Sequence, residues 1–169
     1  FRSHYKVAVT YMLEEQWQTA LKHLENAMRI TRHVPEFNLA MGECYLNLRH
    51  FKEAIQYFGE VIHQKPRLLP GWEALLKCLL VAGRDEEMME RSQEAYRMTD
   101  GKPLFLYYYS TALFNLGRSK EALIQLENAL EKAPRHLKKF IDLNPSILRN
   151  LQVVDLIARF KKITRRDRK

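Results

Sequence analysis

The sequence predicts an all-α fold, an α-α superhelix or solenoid of antiparallel helix pairs, and three observations support this prediction. Similar residues recur at intervals of 34 positions along the 169-residue chain. Within each interval, apolar residues recur at three- and four-residue spacing, which is the period of an amphipathic helix. A break near the middle of each interval divides this pattern into two helices. Paired helices that repeat at a fixed length are typical of a stacked helical array.

The 34-residue period divides the chain into units of equal length. In the second unit the recurring residues are Gly42, Tyr45, Ala54, Phe58 and Pro66. The predicted domains are four repeats and a fifth, degenerate repeat that caps the array, with the ranges 1–34, 35–68, 69–102, 103–136 and 137–169. Because each unit would contact only its neighbours, such a fold needs no single globular core.

Each of the four repeats is predicted to contain two helices joined by a tight turn. Gly83 and Gly117 stand at this turn in the third and fourth repeats, where glycine readily ends a helix. An acidic residue then falls in the first turn of the second helix, where a negative charge suits the helix dipole. These acidic residues are Glu53, Glu87 and Glu121.

The fifth repeat keeps the phase of the array although its sequence differs. Pro145 falls inside its first helix, where a proline removes a hydrogen bond and clashes with the preceding turn, so we expect a break near Asn144. Asn150 is a good helix cap, and we predict that the second helix starts after it. The apolar face of that helix is predicted to contain Val153, Leu156, Ile157, Phe160 and Ile163.

The net positive charge of the chain is carried by its C-terminal segment. The net charge is +8, and residues 135–169 contain 11 basic and 3 acidic residues, a net of +8. The remaining 17 basic and 17 acidic residues of positions 1–134 cancel. A basic chain therefore does not imply a basic binding groove in the repeats.

The recurring residues Gly42, Tyr45, Ala54, Phe58 and Pro66 resemble the tetratricopeptide repeat, and the resemblance covers residues 1–136. The third repeat matches least well, because Leu76, Met88 and Ser92 replace the usual small or aromatic residues, and its packing is expected to be looser. Helical repeats of about 35 residues that read RNA bases are a second resemblance, but the 34-residue phase disfavours it.

The resemblance implies a non-catalytic scaffold that binds a protein or peptide segment. In that family the first helices line the concave face, which places the candidate groove at Tyr5, Val9, Met12, Leu39, Glu43, Asn47, Glu73, Lys77, Tyr107, Tyr108, Thr111, Phe114 and Asn115. Aromatic anchors in a groove often carry the binding energy. Packing of Tyr107 and Tyr108 against neighbouring helices is the alternative, and Tyr109 is predicted to be a core residue.

One activity of the family is disfavoured by the same residues. Members that hold the C-terminal carboxylate of heat-shock chaperones use paired Lys, Arg and Asn side chains on this face. The corresponding positions here are Tyr5, Val9, Ala40, Glu73 and Lys77, and only Lys77 fits.

The C-terminal tail provides an alternative function. Its basic residues are Lys161, Lys162, Arg165, Arg166, Arg168 and Lys169. A solvated helix end is one interpretation, since cations suit a helix C-terminus. Binding to nucleic acid, an acidic protein or an anionic lipid surface is the other. A regulatory arm of a larger multidomain protein is a further alternative.

The sequence offers no candidate catalytic residue, cofactor or metal site. It has no glycine-rich phosphate loop and no metal-spaced pair of ligands. Cys44 and Cys78 occupy the same small-residue position of successive repeats, which suits buried thiols better than a disulfide. No apolar run approaches the ~20 residues of a membrane span.

The ends of the chain suggest that it is a fragment of a longer protein, because it begins in frame with the repeat at Phe1. The lack of a disulfide framework favours a reducing, cytoplasmic compartment. The apolar edge of the first helix, which includes Phe1, Tyr5 and Val7, also allows self-association.

Overall fold

A computed structural model describes residues 2–31 and 34–167 of the chain. These residues form ten α-helices and two short 3-10 helices, with no strand in the described part. The chain divides into two compact units, which meet in sequence at Gly83 and Arg84.

The first unit contains five helices of similar length. They are α1 (Arg2–Leu13), α2 (Trp17–Ile30), α3 (Pro35–Asn47), α4 (Phe51–Gln64) and α5 (Leu69–Val81). Consecutive helices pack against one another, and α1 also contacts α3. Pro35 and Pro70 lie in the first turns of α3 and α5, where the missing N–H of proline has no cost.

Small and aromatic side chains interlock within the first unit. Gly42 of α3 faces Phe58 of α4 so closely that a Cβ atom on Gly42 would lie 2.5 Å from the Phe58 ring. Phe58 is 2% exposed, so its ring has little room to move. Because interiors pack at close to crystalline density, this pair fixes how near the two helices lie.

The turn between the helices of each pair uses one recurring backbone conformation. Glu15, Arg49, Gly83 and Gly117 are spaced by 34 residues, and all four have positive φ, between 58° and 77°. The prediction that Gly83 and Gly117 end helices is therefore confirmed. The other two positions hold the same left-handed conformation without glycine, at a steric cost.

The second unit contains the remaining helices. They are α6 (Asp85–Met98), α7 (Leu104–Asn115), α8 (Ser119–Lys132), α9 (Leu137–Leu143) and α10 (Leu151–Asp167), with 3-10 turns at Pro134–His136 and Pro145–Arg149. Glu53, Glu87 and Glu121 lie in the first turns of α4, α6 and α8, as predicted.

The C-terminal helices cap the core of the second unit. Phe140 of α9 and Val153 of α10 join Leu126 and Leu130 of α8 in one buried cluster. The predicted break is confirmed, because α9 ends at Leu143 before Pro145.

The start of α10 is also as predicted. The Asn150 side-chain oxygen accepts hydrogen bonds from the backbone N–H groups of Gln152, at 3.0 Å, and Val153, at 3.3 Å. The predicted apolar face is correct from Val153 to Ile157, and Phe160 is half-buried. Ile163 is 56% exposed, so its predicted burial is wrong. The buried side of α10 ends near Phe160, and Ile163 lies beyond the last packed turn.

We expect Glu15→Gly to raise the free energy of unfolding by about 0.5–1 kcal/mol. The substitution relieves a left-handed backbone cost of about 1–2 kcal/mol, part of which is offset by the greater freedom of glycine in the unfolded chain. Urea unfolding followed by circular dichroism measures the change.

Gly117→Ala makes the opposite change at the equivalent turn position, because it replaces glycine by a residue with a side chain. Its Cβ would meet no atom within 4 Å, so only backbone strain changes, and stability should fall by about 1 kcal/mol. A gain in stability for Gly117→Ala would contradict this account of the turn.

Candidate functional site

The first helices of the first unit form a groove between α1 and α3. Five residues of the predicted binding surface line this cavity of about 310 Å³, together with Leu13, Glu36 and Ala40. The five are Tyr5, Val9, Met12, Leu39 and Glu43. We call this cavity the α1–α3 groove.

Helical spacing explains how these side chains meet. Tyr5, Val9 and Met12 are spaced by four and three residues, so they lie on one side of α1. Leu39 and Glu43 are one turn apart on α3. Ala8 is fully buried beside them and lets the helices come close without filling the groove.

The α1–α3 groove is apolar inside and negatively charged at its edge. Glu36 and Glu43 are exposed, whereas Tyr5 is half-buried. The centroids of the Tyr5 and Phe37 rings are 5.1 Å apart. Burial, followed by the charges of Glu36 and Glu43, raises the pKa of Tyr5. Tyr5 therefore stays a neutral phenol, and its surroundings favour a cation over an anion.

Three other predicted residues of the first unit lie outside the lining of this groove. Asn47 is exposed and donates a hydrogen bond from Nδ2 to the Glu43 carbonyl oxygen, at 2.8 Å. On α5, Glu73 is half-buried and Lys77 is exposed. The exposed Val7 of α1 is also available at the surface, whereas Phe1, the other predicted edge residue, lies outside the described residues.

The predicted contact surface of the fourth repeat is wrong for three residues. Tyr107 and Tyr108 are fully buried and Thr111 is 2% exposed, so a partner cannot reach them in this structure. The Tyr107 hydroxyl donates to the Ala133 carbonyl oxygen at 2.7 Å, and its ring lies 5.8 Å from that of Phe140. Thr111 Oγ1 donates to the Tyr107 carbonyl oxygen at 2.9 Å.

Two predicted residues at the end of α7 remain at least partly accessible. Phe114 is half-buried against the C-terminal core cluster. Asn115 is exposed and donates from Nδ2 to Asp85 Oδ1 of α6, at 3.2 Å. Neither joins the other predicted residues of α7 in an open groove.

Tyr109, which is predicted to be a core residue, is instead half-buried and lines a cavity. This cavity, of about 630 Å³, lies between α6, α7 and α8. The Tyr109 hydroxyl accepts a hydrogen bond from Gln93 Nε2 at 2.8 Å. Ser92 also lines the cavity, at the repeat position where Leu24, Phe58 and Leu126 are larger.

A related cavity of about 380 Å³ lies between α2, α3 and α4. Six of its lining positions recur 68 residues later in the cavity beside Tyr109, as the pairs Glu25/Gln93, Met28/Tyr96, Arg29/Arg97, Asn38/Leu106, Met41/Tyr109 and Tyr57/Gln125. The residues differ in type at five of these six positions, and arginine recurs at the sixth. The cavities therefore follow from the repeat packing, and small Ser92 is the sequence signal for the larger one.

The predicted basic patch lies on the last turns of α10. Lys161, Lys162, Arg165 and Arg166 are exposed there, whereas Arg168 and Lys169 lie outside the described residues. Lys161 and Arg165 line an apolar cavity of about 220 Å³.

Residues 2–31 and 34–167 contain neither a cluster of metal ligands nor a membrane-spanning helix. No group of three or more His, Cys, Asp or Glu side chains there could hold a metal ion. None of the helices in those ranges is long and apolar enough to span a bilayer. Cys44 and Cys78 are buried, as predicted, and burial raises the pKa of the Cys44 thiol to about 12.

Comparison with known proteins supports the interpretation of the repeats. The family model described as tetratricopeptide repeat matches residues 11–78, within the first unit. Residues 11–78 are therefore similar to the tetratricopeptide repeat, as the sequence pattern predicts. No curated protein matches the sequence.

Solved structures similar to this chain include several of MamA. "MamA 41-end from Desulfovibrio magneticus RS-1" has a TM-score of 0.71 and 16% identity, covering 99% of this chain and 94% of that one. "Crystal structure of MamA protein" has a TM-score of 0.69 and 18% identity, covering 81% and 75%. At these identities the similarity establishes the fold, and the predicted all-α solenoid of antiparallel helix pairs is confirmed.

The family match indicates a general function. Tetratricopeptide repeats are generally protein-interaction scaffolds, and the match over residues 11–78 supports that general role. Surfaces that could receive a protein segment are therefore of interest. The α1–α3 groove is lined by five residues of the predicted binding surface.

We expect Tyr107→Phe to lower the free energy of unfolding by about 1–2 kcal/mol. The substitution leaves the ring in place but removes the hydrogen bond to the Ala133 carbonyl oxygen. Urea unfolding followed by circular dichroism measures the loss. A Phe variant as stable as the wild type at neutral pH would contradict the assigned structural role.

The difference in free energy of unfolding between the wild type and the Tyr107→Phe variant should also depend on pH. Burial, opposed by the charge of Arg135, raises the pKa of Tyr107 to about 12 from its model-compound value of 10.0. A raised folded-state pKa stabilises the protein below pH 10, and the stabilisation is lost as pH rises through 12. The advantage of Tyr107 over Phe should therefore shrink across that window.

Proposed function

We propose that the chain is a non-catalytic scaffold that binds a peptide or protein segment in the α1–α3 groove. One observation carries the proposal: five residues chosen from the sequence as a binding surface line one cavity in the first unit. The cavity is open to solvent-exposed carboxylates and has half-buried apolar side chains inside it.

The lining indicates the chemistry of the bound segment. Val9, Met12 and Leu39 offer an apolar contact for an aliphatic side chain. Glu36 and Glu43 favour a neighbouring Lys or Arg. Burial is the main cause of the raised pKa of Tyr5, and the two carboxylates add to it. The proposed segment therefore presents an aliphatic residue next to a basic one.

The apolar contact and the ion pairs are expected to contribute differently to binding. Burial of one Leu side chain contributes about 1.5–3 kcal/mol, whereas an exposed ion pair contributes about 0.2–1 kcal/mol. The aliphatic side chain thus supplies most of the affinity. The carboxylates select basic segments over acidic ones and should accelerate their association.

The same charges disfavour a chaperone C-terminal carboxylate as the bound group. Glu36 and Glu43 would repel a terminal carboxylate together with the acidic residues before it. A basic segment elsewhere in a longer parent chain would suit the groove, and the array would then act as a regulatory arm.

We expect Glu36→Gln combined with Glu43→Gln to weaken peptide binding about three- to tenfold, because two exposed ion pairs are lost. The probe is a short fluorescein-labelled peptide with a central Leu flanked by Lys residues. Fluorescence anisotropy at low salt measures the dissociation constant.

Glu25→Gln combined with Glu60→Gln is the matched control. Both residues are exposed carboxylates of the first unit, on α2 and α4, and the net charge changes equally. Equal weakening by the two double variants would reject the groove as the binding site. Tighter binding of an otherwise identical peptide with Glu in place of Lys would reject the proposed chemistry.

A further inference from the structure

A small, partly open apolar cavity lies between α8, α9 and α10, next to the basic end of α10. The cavity has a volume of about 220 Å³. Leu130 of α8 and Leu137 of α9 face Phe160 of α10 across it. Lys161, Thr164 and Arg165 of α10 complete this side of the lining.

The volume of this cavity limits what can enter it. Pockets for small-molecule ligands usually measure about 300–1,000 Å³, so this one suits a single side chain. Leu130 is fully buried, and Leu137 and Phe160 are half-buried, so the interior is apolar and partly shielded from water. An aliphatic or aromatic side chain would lose water-exposed surface there, which favours binding.

The surface around the cavity is strongly cationic. Lys161, Lys162, Arg165 and Arg166 are all exposed, and within residues 2–31 and 34–167 no carboxylate forms an ion pair with any of them. The helix dipole favours cations at the C-terminus of α10, which explains their number. The dipole does not explain an apolar cavity between two of them.

We propose that this surface binds an acidic peptide segment through one large apolar side chain. The apolar side chain enters the cavity, and carboxylates on either side of it meet Lys161 and Arg165. The two cations are one helical turn apart and both line the cavity, so a single short segment reaches them together.

The cavity distinguishes this partner from nucleic acid. Phosphates would neutralise all four cations alike, with no need for an apolar side chain. Stacking of bases requires exposed aromatic rings, and Phe160, the aromatic residue of α10, is half-buried in the cavity wall. The site also differs from the α1–α3 groove in unit, lining and charge.

The test uses the complete chain and a short labelled peptide in which a central Leu is flanked on both sides by Glu. Lys161→Glu combined with Arg165→Glu should weaken binding about tenfold or more, because both cations lie at the cavity. Lys162→Glu combined with Arg166→Glu changes the net charge equally on the same helix. We expect this control to weaken binding less than about threefold.

Two further changes test the cavity itself. Replacing the central Leu of the peptide by Ser should weaken binding about tenfold, since the apolar contact is lost. Thr164→Phe should fill the cavity and weaken peptide binding by a similar factor. Circular dichroism of each variant, with urea unfolding, verifies that α10 is still folded.

Several results would overturn the proposal. Equal weakening by the two double variants, or undiminished binding of the Ser peptide, would mean that charge acts without the cavity. Tighter binding of a DNA or RNA oligonucleotide, or of phosphatidylserine vesicles, than of the Leu–Glu peptide would assign the surface to that partner instead.

Discussion

The structure depends on how closely two antiparallel helices can approach. At Gly42 the absence of a side chain leaves space that the Phe58 ring occupies, and a single added methyl group would overlap that ring. Buried small residues such as Ala8 and Ala20 let α1 and α2 approach in the same way. Because close packing defines the position of each helix, the distance between first helices, and with it the α1–α3 groove, follows from these contacts.

Much of the fold could be predicted because its causes are local. The helix-ending turns at Gly83 and Gly117, the break before Pro145 and the start of α10 after Asn150 each depend on neighbouring residues. The site was harder to predict. Tyr5 and Tyr107 occupy the same position of the repeat, yet one lines an open groove and the other is buried beneath Phe140 and bonded to Ala133. What covers a repeat position depends on the helix that follows it, and the period does not encode that helix.

The two surfaces that we propose for binding have opposite electrostatics. The α1–α3 groove places an apolar interior beside Glu36 and Glu43, whereas the cavity at α10 places one beside Lys161 and Arg165. In each case an apolar contact provides affinity and the charges select the partner. A scaffold of this kind can bind a basic segment and an acidic segment selectively at two separate surfaces.

The hydrogen bond between Tyr107 and Ala133 has a consequence for where the protein can be cut. The 34-residue period ends the fourth repeat at position 136, but the Tyr107 ring is covered by Phe140 beyond that point. Removal of residues 137–169 would expose an aromatic ring and the buried cluster around Leu126 and Leu130. The repeat unit of the sequence and the cooperative unit of unfolding are therefore offset, and α7, α8, α9 and α10 should exchange their most protected amide hydrogens together.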